Sequence, residues 1–173
     1  IIPAVMFPDG IGRWDVLLPS ALSLDLDSWS KSQKKQVSDG VNEEVVIAHA
    51  PNHRSFKGTE FIIDAIQKLK SKGLKIKFIL IEGKKNSKVK KIFCNEVDIL
   101  LDQLICPGYG LNSLEGMASG LTTICNLEED DYTLPLRRWS FLSECPIVSA
   151  TPENIEDVLE KLIMNPKLRE TLG

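Results

Sequence analysis

The run Val45-Val46-Ile47-Ala48 constrains the fold more than any other stretch of this chain. Apolar, largely β-branched residues with no polar alternation describe a strand covered on both faces. Such a strand belongs inside a parallel sheet, and a parallel sheet needs crossover segments, usually helices, to carry the chain back between strands. Residues 58–72 supply the first. Phe61, Ile62, Ala65, Ile66 and Leu69 form one helical stripe, and Gly73 is placed to end it. Residues 75–81 read as the next strand, 87–94 as a short helix and 97–104 as a third strand. Residues 112–119 follow as a helix stopped by Gly120, and 121–125 as a fourth strand. Residues 146–149 make a last short strand. Thr151 then stands as N-cap and Pro152 as first residue of a helix, whose stripe is Ile155, Val158, Leu159, Leu162 and Ile163. This alternation predicts an α/β domain over residues 43–173: a Rossmann-like parallel sheet with helices on both faces.

Residues 1–42 read differently. Pro3, Pro8, Gly10, Gly12 and Pro19 break regular elements, so this stretch is an entry segment, with a polar loop and a short helix over 27–40. The chain opens on Ile1 in an extended, Pro-containing stretch, which reads as a piece of something longer. Residues 128–131 form an acidic loop, and 137–142 hold one helical turn.

The bulk numbers exclude several classes. With 173 residues, 43% hydrophobic and 26% charged, the chain suits one compact globular domain. A net charge of −3 argues against coating nucleic acid. The run Phe78-Ile79-Leu80-Ile81 falls far short of the ~20 apolar residues that span a bilayer. No signal peptide is visible. Cys94, Cys106, Cys125 and Cys145 are widely spaced, as free thiols in a cytoplasmic protein are. His49 and His53 are the only histidines, and no metal site is expected. At its strand end, His49 reads as a hydrogen-bonded core residue.

In parallel α/β sheets, ligands bind beyond the carboxyl ends of the strands, which directs attention to loops 51–57, 82–85 and 106–112. The first contains His53, Arg54 and Lys57 where a helix begins. Cations there oppose the helix dipole, and with the free amides they suit a diphosphate. A solvated basic loop is the plainer alternative. The third loop runs Gly108-Tyr109-Gly110-Leu111-Asn112-Ser113 into a helix that carries Glu115. Its glycines let backbone amides approach a phosphate. Glu115, three residues past Asn112, either reaches back to a cap amide or accepts the hydroxyls of a ribose. Asp102 and Gln103, at a strand end, are placed to face the same cleft. The spacing Gly108-x-Gly110-x-x-Ser113 lacks the third glycine of the dinucleotide fingerprint and comes late in the domain, against a dehydrogenase.

Taken in order, four segments resemble the C-terminal domain of retaining GT-B glycosyltransferases of the large group 1 family. They are Leu18-Pro19-Ser20-Ala21-Leu22-Ser23-Leu24-Asp25, Arg54 with Lys57-Gly58, Leu114-Glu115-Gly116-Met117-Ala118-Ser119-Gly120, and Asn165-Pro166-x-x-Arg169-x-x-Leu172-Gly173. The resemblance covers residue 18 to the end. It implies a nucleotide-diphosphate sugar as donor substrate, with no separate cofactor. Glu115 would bind its ribose, Arg54 and Lys57 its diphosphate, and the amides of residues 110–113 phosphate or sugar oxygens. It also implies retention of configuration, an acceptor held by an N-terminal domain of the same protein, and peripheral membrane contact or polysaccharide synthesis for the whole enzyme. Where the family carries a first glutamate that contacts the donor sugar, this chain has Pro107; the strand-end Asp102-Gln103-Leu104 resembles one subgroup. A sugar-nucleotide epimerase of the same architecture and a non-catalytic nucleotide-sugar-binding module are the competing readings.

Overall fold

A computed structural model describes residues 24–29, 37–128 and 146–173. The elements, in order, are β1 (Val45–His49), α1 (Arg54–Lys57), α2 (Thr59–Ser71), β2 (Ile76–Leu80), α3 (Asn86–Glu96) and β3 (Ile99–Leu101). They continue with α4 (Leu111–Ala118), β4 (Thr122–Cys125), β5 (Val148–Ser149), α5 (Ile155–Ile163) and α6 (Pro166–Leu172). A 3-10 turn, Leu26–Trp29, lies within the entry segment. Most of the acidic loop and the helical turn expected at 137–142 lie outside the described residues.

The strands form one parallel sheet in the order β2-β1-β3-β4-β5. Within β1, alternate residues face opposite ways. Val45 and Ile47 join Ile62, Leu69, Ile155 and Leu159, so α2 and α5 cover one face. Ala48 joins Phe93, Leu100 and Leu121, so α3 and α4 cover the other, with Trp29 added to that layer. The run at 45–48 is apolar throughout because both faces are buried, and each fully buried Ile or Leu contributes roughly 1.5–3 kcal/mol.

Two glycines set how closely the helices approach. Gly58, at φ +74°, ends α1 and starts α2, so the chain turns sharply in a conformation other residues resist. Gly116 seats α4 on the sheet: a Cβ there would fall 2.5 Å from Leu100 Cδ2 and 2.8 Å from Thr123 Oγ1.

Two expectations are corrected. The last-but-one helix begins at Ile155, so Thr151 is not its N-cap and Pro152 not its first residue. The Asn154 side chain accepts the Thr151 amide at 2.8 Å and closes a separate turn first. The third strand is also shorter than 97–104, ending at Leu101. Beyond it the Leu104 amide donates to the Lys57 carbonyl, which draws the chain out of the ladder.

The described part of the entry segment is tied to the domain. Arg169 on α6, fully buried, donates to the carbonyls of Leu162 and Ile163 and to the carbonyl of Ser38. Asp39 accepts the amides of Val41, Asn42 and Glu43, which holds its carboxyl well below the usual range.

Candidate functional site

The chain direction across the sheet reverses between β1 and β3, the switch point at which such sheets open a crevice. A cleft of about 400 Å³ lies there. Pro51, Asn52 and Lys57 line it after β1, Gly83, Lys84 and Asn86 after β2, and Leu111, Asn112 and Glu115 from α4. The Asn112 side chain donates from Nδ2 to the Ala50 carbonyl at 2.7 Å and ties the start of α4 to the end of β1.

Asp102 is the hub behind this cleft. It is fully buried, one residue past β3. Its Oδ1 accepts from Lys57 Nζ at 2.6 Å, and its Oδ2 accepts from the Gly110 amide at 2.9 Å and the Ser113 hydroxyl at 2.6 Å. Gln103 works beside it. Its Oε1 accepts from Lys57 Nζ at 2.6 Å, while its Nε2 donates to the carbonyls of Cys106 and Gly108, both at 3.0 Å. Gly108 has φ +90° and donates its amide to the Asn126 carbonyl. Strand-end side chains thus hold the glycine loop from inside, which is how a loop with few apolar residues keeps one shape.

Glu115 does not cap its helix. The N-cap position of α4 is Gly110, and the Glu115 carboxylate lies in the cleft wall, where Oε1 accepts from Asn86 Nδ2 at 2.9 Å. No buried side-chain oxygen among the described residues lacks a partner, so Oε2, with no protein donor, keeps accessible surface on a residue that lines the cleft. Burial pushes the Glu115 carboxyl up; the Asn86 bond pulls it down, and the charge of Asp102 adds to the rise. A carboxylate with one oxygen engaged and the other without a donor can accept a hydroxyl.

His49 is fully buried, as expected of a core histidine. A carbonyl can only accept, so Nδ1 donates to Leu101 O at 2.9 Å, and Nε2 accepts from the Thr59 hydroxyl at 2.8 Å. Burial lowers its pKa, against the opposing effect of the Leu101 bond. It fastens β1 to β3 and to the first turn of α2.

Of the residues singled out in the sequence, Lys57, Leu111, Asn112 and Glu115 come together in the cleft wall. Gly108, Tyr109, Gly110 and Ser113 lie outside that lining; the Gly110 amide and the Ser113 hydroxyl both turn to Asp102. The amides of Leu111 and Asn112, in the first turn of α4, have no acceptor within the helix. Arg54 is exposed and paired with Glu60 at 2.9 Å and Glu82 at 3.5 Å. Asn86 escaped sequence reading, since an asparagine at a helix start carries no sign of a partner 29 residues away. Among the described residues no group of His, Cys, Asp and Glu could hold a metal ion, and no helix is long and apolar enough to cross a membrane.

No family model and no curated protein matches the sequence. Among solved structures, one that matches is the C-terminal domain of a glycosyl transferase group 1 family protein (LpcC) from Francisella tularensis. Identity is 19%, the TM-score is 0.52, and the match covers 87% of this chain and 92% of that one. The five-stranded parallel sheet, the helices on both faces and the cleft at the β1–β3 switch point are the Rossmann-like fold of a GT-B C-terminal domain, and this chain has that fold.

Proposed function

We propose that this chain is the donor-binding domain of a glycosyltransferase, which takes a nucleotide-diphosphate sugar in the β1–β3 cleft. The observation that carries the reading is Glu115: a buried carboxylate in the cleft wall, freed from capping, held by Asn86 at one oxygen and without a protein donor at the other. Glu115 accepts ribose hydroxyls. The diphosphate lies against the Leu111 and Asn112 amides at the positive end of α4 and against Lys57, with Arg54, outside the cleft lining, as a further cation. The sugar passes to an acceptor held by an N-terminal domain, with retention of configuration. Acceptor positioning, worth up to ~7–11 kcal/mol of a barrier, then comes from that other domain, so the chain alone binds donor but does not transfer sugar.

Titration calorimetry with UDP, GDP and ADP, each against its nucleoside, tests the reading. One diphosphate is expected to bind in the ~10 μM to mM range, and Lys57→Ala and Arg54→Ala to weaken it while sparing the nucleoside. Equal losses for nucleoside and diphosphate in either variant would remove that residue from the phosphate site. Efficient transfer by the isolated chain, followed by mass spectrometry over a donor and acceptor panel, would overturn the two-domain assignment.

A second reading rests on a specific feature. Lys57 is ion-paired with Asp102, and Arg54 with two glutamates. With both of these cations already partnered, the site suits a module that binds a nucleotide sugar without expelling its diphosphate. Binding without turnover in the full-length protein is its signature.

A further inference from the structure

The two loops proposed to hold the diphosphate meet in one buried carboxylate. Asp102 takes Lys57 from the β1 side with one oxygen, and the Gly110 amide and Ser113 hydroxyl at the start of α4 with the other. An ammonium has three N–H donors. Asp102 and Gln103 occupy two of them at 2.6 Å each. Lys57 nevertheless forms part of the cleft wall, its side chain 10% exposed. We infer that Asp102 and Gln103 are positioning residues: they fix Lys57 Nζ so that its one remaining N–H meets a single phosphate oxygen in the cleft. This deepens the donor-site reading and rests on it.

Three features converge on this assignment. Lysine is flexible, with four rotatable methylenes, and a lone lysine in a cleft wall would lose much of its freedom on meeting a ligand. Here that cost is met on folding, because two acceptors already hold the head group. The acceptors are themselves fixed: Asp102 by Gly110 and Ser113, Gln103 by Cys106 and Gly108. The loop also closes tightly on one side of the pair. A Cβ on Gly110 would lie 3.3 Å from both Asp102 Oδ2 and Lys57 Nζ, so the glycine lets the loop close over the ion pair. The same carboxylate moderates the cation, so the ammonium offers the ligand one directed hydrogen bond rather than a free charge.

The experiment is a double-mutant cycle on the intact chain, with UDP, GDP and ADP and their nucleosides as calorimetric probes. Asp102→Asn is expected to weaken the bound diphosphate at least fivefold and to leave its nucleoside unchanged, a split that general loosening of the fold would not produce. In the Lys57→Gln background, Asp102→Asn should cost no further diphosphate affinity. Thermal unfolding supplies a readout independent of ligand: Lys57→Gln alone should lower Tm more than the Lys57→Gln/Asp102→Asn pair, because only the single variant leaves Asp102 buried without its counter-ion. Gly110→Ala keeps every charge and should reproduce the diphosphate-specific loss in milder form. If the wild type binds a diphosphate and Asp102→Asn leaves it untouched, or if the two losses add in full, Asp102 does not position Lys57. A wild-type chain that binds none of the three diphosphates overturns the donor-site reading itself, and the positioning role with it.

Discussion

Asn86 and Glu115 come from different helices and meet in the cleft wall, amide nitrogen to carboxylate oxygen at 2.9 Å. The pair joins the start of α3 to α4 and leaves Glu115 Oε2 without a protein donor. Hydrogen bonds to an ionised group are worth about 1.5–3 kcal/mol each. Glu115→Ala should therefore lower nucleotide affinity tenfold or more while the fold survives. Asn86→Ala should cost less, since it frees the carboxylate without removing it. Calorimetry on both variants checks the ranking; an Asn86→Ala loss equal to that of Glu115→Ala would mean that Asn86 itself meets the ligand.

The raised pKa of Glu115 has a consequence for stability. An acid that holds its proton more tightly when folded withdraws stability as pH rises from the usual carboxylate range through its raised folded value. Above that window the charged group carries its full burial cost. Glu115→Gln keeps an acceptor for Asn86 without the charge, so at neutral pH it should stabilise the fold, while binding weakens. Below the window the gain should vanish. Denaturant unfolding of both proteins at pH 4 and pH 7.5 measures this.

His49 has the opposite sign. Its folded pKa is lowered, so the unfolded chain binds the proton first, and stability falls as pH drops below about 6.5. The loss is complete once pH passes the folded pKa. His49→Gln should flatten this part of the pH–stability curve, and it should lower stability at pH 7.5 by about 1–3 kcal/mol through the weakened Leu101 and Thr59 bonds.

Arg169 offers a test away from the cleft. Its guanidinium satisfies the last carbonyls of α5 and the Ser38 carbonyl at once. Arg169→Ala should destabilise the chain by about 3 kcal/mol or more, by leaving the buried Ile163 and Ser38 carbonyls without their side-chain donor. Lysine should not rescue it, because a single ammonium cannot reproduce the planar fork. Urea midpoints of the two variants decide this.

Much of the fold was legible in the sequence, because burial on both faces leaves a mark that needs no partner to read. The runs at 45–48 and 121–125 are apolar or β-branched throughout, and the stripe at Ile62, Ala65, Ile66 and Leu69 repeats with the helix. Capping was less legible. Thr151-Pro152 has the composition of a helix start, yet these residues belong to a turn in which Asn154 accepts the Thr151 amide, and the helix starts at Ile155. The cleft was visible as loops but not as bonds. Glycine spacing at 108–110 pointed to an amide cradle, while the amide of Gly110 is engaged by a carboxylate eight residues earlier in the chain. Lys57 could be read as a cation, but not as one held by Asp102, 45 residues on.

Asp102 also bears on how such a site can change over time. Half of the cleft residues sit on loops beyond the sheet, where one substitution can be tried without disturbing the next. Lys57, Gln103, Gly110 and Ser113 lack that independence, because each is bonded to the strand-end carboxylate or packed against its ion pair. A new side chain at any one of them meets a fixed charge it was not matched to. These positions should therefore drift together or not at all, and a library that varies them one at a time will miss the functional combinations that a joint library contains.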